Sequence, residues 1–175
     1  LVCVQRGQVI YQEGEYAKTV FVLASGMVRC SMTLTDARRQ IIGFHEAGDV
    51  IGLTSAAAYL DTAEAVTPVE ARSITREQFD GVLDEHPHLR ACVISWAFRS
   101  LEAARRHVLV VGRMTARERV GSFLLERTHG KAGFVELRMS RGDVADYLGL
   151  TIETVSRTMT HLRSAGAIRT KEGGV

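Results

Sequence analysis

Residues 140–162 read SRGDVADYLGLTIETVSRTMTHL, and the reading of the whole chain works outward from them. Apolar residues stand at helical spacing on either side of Gly149-Leu150-Thr151: Val144, Ala145 and Leu148 before it, Ile152, Val155 and Met159 after it. That pattern predicts two short helices joined by a tight turn. Ala145 falls where the helices must approach most closely, and Gly149 where a turn takes positive φ without steric cost. Val155 falls where a compact residue locks the second helix onto the first. Ser140, with Asp143 three residues on, marks the start of the first helix, and Thr151 marks the start of the second.

With the apolar face inward, the second helix turns Glu153, Ser156, Arg157 and Thr160 outward, at spacings of three and four that place them side by side. Arginine donates two parallel hydrogen bonds to guanine O6 and N7, and a glutamate carboxylate accepts from cytosine N4, so this pair suits a G·C pair or its neighbour. The expected base-reading residues are therefore Glu153, Ser156 and Arg157. Thr151, Thr154, Thr160 and Ser140 are expected to support them or to contact the DNA backbone.

The surrounding composition fits such a protein. From Gly112 onward there are 11 Lys and Arg against 7 Asp and Glu, whereas the preceding part has 11 against 13, so the charge that suits phosphates lies in the C-terminal part. No stretch approaches the ~20 apolar residues that span a bilayer, and no secretory leader opens the chain, so a cytoplasmic protein without membrane contact is expected. Cys3, Cys30 and Cys92 stand far apart and are odd in number, which predicts free thiols rather than a disulfide framework or metal site. His45 and His107 lack neighbouring ligands at metal spacing. With no nucleophile elbow, phosphate loop or H-E-x-x-H pattern, an enzyme is not expected, nor is a cofactor or metal.

From Leu1 to about Ile74, short β-type runs alternate with glycines: Gln8–Tyr11, Thr19–Leu23, Met27–Thr33, Gln40–Phe44 and Ala63–Ser73. These predict an antiparallel roll or barrel. A short helix is expected around Arg76–Asp84, then a long one from about His88 to Val111. In the long helix Ile94, Ala97, Leu101, Ala104, Val108 and Val111 alternate spacings of three and four, the seam of a two-stranded coiled coil. Leu89, Val93 and Trp96 form a second stripe, so one face is expected to meet the roll and the other the same helix of a second chain. Gly112 is the expected hinge. A helix from Thr115 to about Arg127 is expected to pack Val120, Phe123, Leu124 and Leu125 under the helix pair, with a short strand at Val135–Met139. Gly166–Thr170 followed by Lys171–Gly174 reads as a strand and a glycine-rich turn, half of a wing.

RGQVIYQEGEYAKTVFVLASGMVRCSM followed by QIIGFHEAGDVIGL resembles the sensor domain of the CRP/FNR superfamily of bacterial regulators. The likeness continues to the C-terminus. The GFH-x-AGD stretch (Gly43–Asp49) and E-T-V-S-R (Glu153–Arg157) resemble the FNR and FixK branch in particular. The resemblance implies an α+β fold: an N-terminal antiparallel β-roll of the cupin-like sensor type over 1–86, a dimerisation helix over 87–111, and a C-terminal winged helix-turn-helix over 112–175. It also implies half-sites like TTGAT, with Arg157 on the guanine, Glu153 on its cytosine or the adjacent base, and Ser156 beside a thymine.

The chain departs from members that bind cyclic AMP. Where they carry a Gly-Glu pair for the ribose, it has Gly52-Leu53, and where they carry Arg-Ser for the phosphate it has Tyr59-Leu60-Asp61-Thr62, with one carboxylate and no cation. A buried phosphate there would lack a counter-charge, so no cyclic nucleotide is expected. The cysteine cluster of the oxygen-sensing branch is not visible either. The sequence as a whole predicts a homodimeric transcription regulator, an activator, that binds double-stranded DNA at a palindromic operator and works with RNA polymerase. The alternative is a ligand-, redox- or metal-cluster-gated sensor of the same superfamily whose signal-binding residues precede Leu1. From another class, the rival is a sensor module whose helix pair contacts protein rather than DNA.

Overall fold

A computed structural model describes residues 1–128 and 136–169. The chain divides into two compact units inside its longest helix, Leu1–Ala97 and Phe98–Val175.

The first unit is built on two four-stranded antiparallel sheets. One has the order β1-β8-β3-β6, from Val2–Val4, Val69–Thr75, Thr19–Ser25 and Val50–Ile51; the other has β2-β7-β4-β5, from Val9–Tyr11, Thr62–Ala65, Met27–Thr33 and Arg39–Glu46. Alternation decides what faces inward: Ala63 and Ala65 on β7 and Val69 and Ala71 on β8 are buried, with the residues between them more exposed. Where the sequence pattern predicts one run over Ala63–Ser73, the structure has two strands in different sheets. Pro68 cannot continue a ladder, and the crossover before it is pinned to Met27, whose carbonyl accepts from Val66 N at 2.8 Å and whose N–H donates to Thr67 Oγ1 at 2.9 Å. Gly26 stands opposite that crossover at φ 86°, where any Cβ would run into the Pro68 carbonyl oxygen. The strands β1 and β6, three and two residues long, carry too short a pattern to be read from sequence.

The interior of the roll is filled by side chains. The rings of Tyr11 and Tyr59 stack at 4.0 Å between centroids, and Phe21 lies 6.1 Å from Tyr11. Gly52 N donates to the Tyr11 hydroxyl at 3.1 Å, and the Tyr59 hydroxyl donates to Thr19 O at 2.7 Å. Cys30 Sγ lies 3.8 Å from the Tyr11 hydroxyl; burial, reinforced by the Asp61 carboxylate, pushes that thiol well above the ordinary range. All three cysteines are free thiols, Cys30 buried and Cys3 and Cys92 exposed.

Helix α1 (Arg76–Glu85) starts from a capping box between Thr75 and Gln78, and α2 runs over Pro87–Arg113. None of the 27 residues of α2 is buried, which corrects the expectation that its Leu89, Val93 and Trp96 stripe is covered by the roll. Val93 and Trp96 are half-buried, and Leu89 is exposed. Gly112 is not a hinge: the helix continues through it, a position tolerated near a helix end at about 1 kcal/mol relative to alanine. The break falls at Met114, because Thr115 opens a new capping box with Glu118 and starts α3 (Ala116–Arg127).

The second unit packs α3 and α4 (Arg141–Leu148) against α5 (Ile152–Ser164). Val120, Phe123, Met139, Val144, Leu148, Val155 and Met159 form its interior. Phe123 lies tilted against Tyr147, and Tyr147 also stacks on His107 at 4.2 Å. Leu125, expected inside, is 63% exposed, since α3 turns it to the far side from Val120 and Phe123. Glu136–Met139 form no strand, and Val135 lies outside the described residues. Of the expected wing, Gly166–Arg169 are turn and irregular backbone, and 170–175 lie outside the described residues. No helix among the described residues is long and apolar enough to cross a membrane.

Candidate nucleic-acid interface

The start of α4 is fixed by a reciprocal cap. Ser140 Oγ accepts from Asp143 N at 3.0 Å, and the Asp143 carboxylate accepts from both Ser140 N at 3.0 Å and Ser140 Oγ at 2.8 Å. Asp143 is 3% exposed, so this carboxylate serves the cap and the interior. The end of α4 is fixed by Gly149, at φ 62° and ψ 43°, which lets Leu150 N reach back to Ala145 O at 3.0 Å. Only a residue at home in the left-handed region closes the turn this tightly. Thr151 then caps α5, its hydroxyl accepting from Thr154 N at 3.2 Å and lying 3.1 Å from the Thr154 hydroxyl.

Val155 and Met159 seat α5 against the interior, which leaves Glu153, Arg157 and Thr160 exposed and Ser156 half-buried. Ile152 departs from the expected inward run: it is 52% exposed and lies over the first turn of α4, near Gly142. At the first turn of α5, the Glu153 carboxyl is held below the usual carboxylate range by its own backbone N–H, with help from the Thr151 hydroxyl and from Arg157. It is therefore an acceptor at neutral pH, beside a guanidinium that only donates. Ser156 Oγ accepts from Arg141 Nη1 at 3.3 Å, a contact from the first residue of α4 that the sequence analysis did not single out. A basic residue next to the cap was its only signal.

The stripe expected to form a coiled-coil seam lies along α2. Ile94 is 51%, Leu101 47% and Val108 64% exposed; Ala97 and Ala104 are exposed as well, and Val111 is half-buried. Phe98, 63% exposed, falls on the same face between Ile94 and Leu101, outside the strict heptad and so missed by it. Among the described residues, no group of three or more His, Cys, Asp and Glu gathers as a metal set. His45 instead lies 3.7 Å from the Asp49 carboxylate.

Two family patterns match the chain, the cyclic nucleotide-binding domain over residues 1–86 and the Crp-like helix-turn-helix domain over 118–175. The nitrogen fixation regulation protein FixK of Bradyrhizobium diazoefficiens is 38% identical over 97% of this chain and 74% of that protein. The chain belongs to the CRP/FNR superfamily, in its FixK-like branch. The transcriptional activatory protein AadR of Rhodopseudomonas palustris is 37% identical over 89% of this chain and 67% of that protein. The solved structure of FixK2 from Bradyrhizobium japonicum superposes with a TM-score of 0.92 at 36% identity, covering 99% of this chain and 88% of that one. The helix pair is thus the helix-turn-helix of a DNA-binding transcription regulator, and the chain is not an enzyme.

Proposed function

We propose that this chain is a homodimeric transcription activator that reads a palindromic, TTGAT-like operator in the cytoplasm, together with RNA polymerase, and does so without cyclic nucleotide. The work divides into a sensor-type roll over 1–86, a dimerisation helix over 87–113 and a reading domain over 114–175. Glu153, Ser156 and Arg157 read base edges, while Thr151, Thr154, Thr160 and Ser140 support the helix or meet phosphates.

The observation that carries this reading is the outer face of α5, where an ionised Glu153 stands beside Arg157 on a helix clamped at both ends of the preceding turn. Such a face offers acceptor and donor edges to a G·C pair. The exposed stripe of Ile94, Phe98, Leu101 and Val108 favours a second copy as its cover, since a two-fold axis would place two reading helices in successive major grooves roughly 34 Å apart. The activator reading follows the printed description of AadR. Against cyclic nucleotide stand Gly52, whose neighbours are the Tyr11 and Tyr59 rings, and the absence of a cation in Tyr59–Thr62.

Titration of a duplex carrying two TTGAT half-sites about one turn apart, against a scrambled duplex at the same salt, tests the proposal. Two chains per palindrome, with the scrambled duplex bound far more weakly and cyclic AMP without effect, is the expected outcome. Equal binding of both duplexes would favour a helix pair that contacts protein instead.

A further inference from the structure

One arginine outside the reading face joins two places that a DNA reader must hold in register. Arg119, on the first turn of α3, donates from Nε to Met114 O at 2.9 Å and from Nη1 to Leu148 O at 3.0 Å, with Gly149 O at 3.4 Å. Met114 is the residue after the last of α2, and Leu148 and Gly149 end α4 at the turn of the helix-turn-helix. The last carbonyls of a helix lack N–H partners within it and carry its partial negative charge, so a guanidinium is well placed there. The side chain is half-buried, and a Cβ on Gly149 would touch its Nη1 at 3.6 Å, so the clamp lies directly on the turn.

We infer that Arg119 is a positioning residue for DNA recognition, which fixes the angle at which the reading pair follows the end of the long helix and thereby sets the half-site spacing that a dimer accepts. The planar guanidinium presents donors on two edges and bridges carbonyls from separate elements; a lysine ammonium is a single point and holds one edge at a time. The junction at Met114 has its own cap at Thr115, and the turn has its own glycine, so each is well formed locally. What Arg119 adds is their mutual orientation.

The spacing consequence rests on the dimer reading above, and the tests separate the two. In the full chain, Arg119→Ala is expected to bind a duplex with a single half-site as the wild type does. It is expected to lose the preference for correctly spaced over one-base-pair-shifted palindromes by roughly fivefold or more, the lower range of coupling between linked sites. Arg119→Lys should behave like Arg119→Ala, because the charge remains but the bridge does not. A spacing preference retained in Arg119→Ala, or rescued fully by lysine, overturns the inference.

Amide hydrogen exchange provides a readout independent of DNA. In Arg119→Ala, Met114 N–H and Leu150 N–H should lose protection together while Val155 and Met159 keep theirs; unchanged protection at Leu150 overturns the clamp. A wild-type chain indifferent to spacing would overturn the dimer reading, and the exchange result would then decide the clamp by itself.

Discussion

The interior of the roll and the outer face of α5 use similar polar groups in opposite ways. Inside the roll, the Tyr59 hydroxyl both donates to Thr19 O and accepts from Thr19 N, and the Tyr11 hydroxyl accepts from Gly52 N, so hydroxyls and backbone close on one another around stacked rings. In the helix pair, the caps are closed in the same manner, that of α4 by Ser140 with Asp143 and that of α5 by Thr151 with Thr154, but the exposed Glu153 and Arg157 of α5 lie beyond them. A buried polar group without a partner costs roughly 1–3 kcal/mol, so the roll has every reason to satisfy its own. Donors and acceptors on a surface keep water as a partner until a ligand replaces it. The difference distinguishes an interior whose polar groups are closed on one another from a surface whose donors and acceptors stay open to solvent.

The largest expected effect tests the scaffold side. Tyr59→Ala removes half of the ring stack and should cost about 3–5 kcal/mol of stability, measured by urea unfolding. Calorimetry should still show no heat with cyclic AMP, because Tyr59–Thr62 brings a carboxylate and no cation to the vacated space. Binding that appeared in this variant would show that the rings alone had closed the site.

The next effect tests the reading side. Arg157→Ala should weaken operator binding by about 1–3 kcal/mol and relax discrimination at one base pair, while stability stays within about 0.5 kcal/mol. Loss of a peripheral cation would instead weaken all sequences alike and flatten the dependence on salt. Equal loss on operator and random DNA would remove Arg157 from base reading. Ser140→Ala should fall between the two regions in character, costing about 1 kcal/mol of stability in the second unit by opening the cap of α4.

The smallest expected effect is a pH dependence at His107. Burial against Tyr147 lowers its pKa below the usual 6.5, and Glu126 and a hydrogen bond with the Tyr147 backbone offset this in part. The folded state therefore binds the proton less readily than the unfolded chain. Stability is complete above about pH 6.5 and falls as pH drops from there through the lowered value. Thermal unfolding of His107→Gln should show a flatter slope across that window; an unchanged slope would assign the dependence to other groups.

The two regions also differ in how far the sequence revealed them. In the helix pair, Val144, Ala145, Leu148, Gly149, Val155 and both caps stand at fixed offsets, because each is decided within one or two turns of chain. The long strands of the roll were readable for the same reason. The split between β7 and β8 was not, since it depends on Thr67 and Met27, 40 residues apart, finding one another. Gly112 misled because a glycine near a helix end breaks it only if something better follows, and the better signal was Thr115. Phe98 escaped a strict heptad, and Arg119 and Arg141 act across elements, where spacing along the chain carries no information.

One feature of α2 reaches beyond its shape. At 1.5 Å per residue, its 27 residues form a rod about 40 Å long, none of whose side chains is fully buried within one chain. Helices in proteins take most of their stability from packing an apolar face, and the stripe of Ile94, Phe98, Leu101 and Val108 is exposed. On the dimer reading, stiffening the rod and recruiting a second copy are a single equilibrium governed by mass action. On that same reading operator occupancy climbs steeply with the amount of chain present, because each operator takes up two copies.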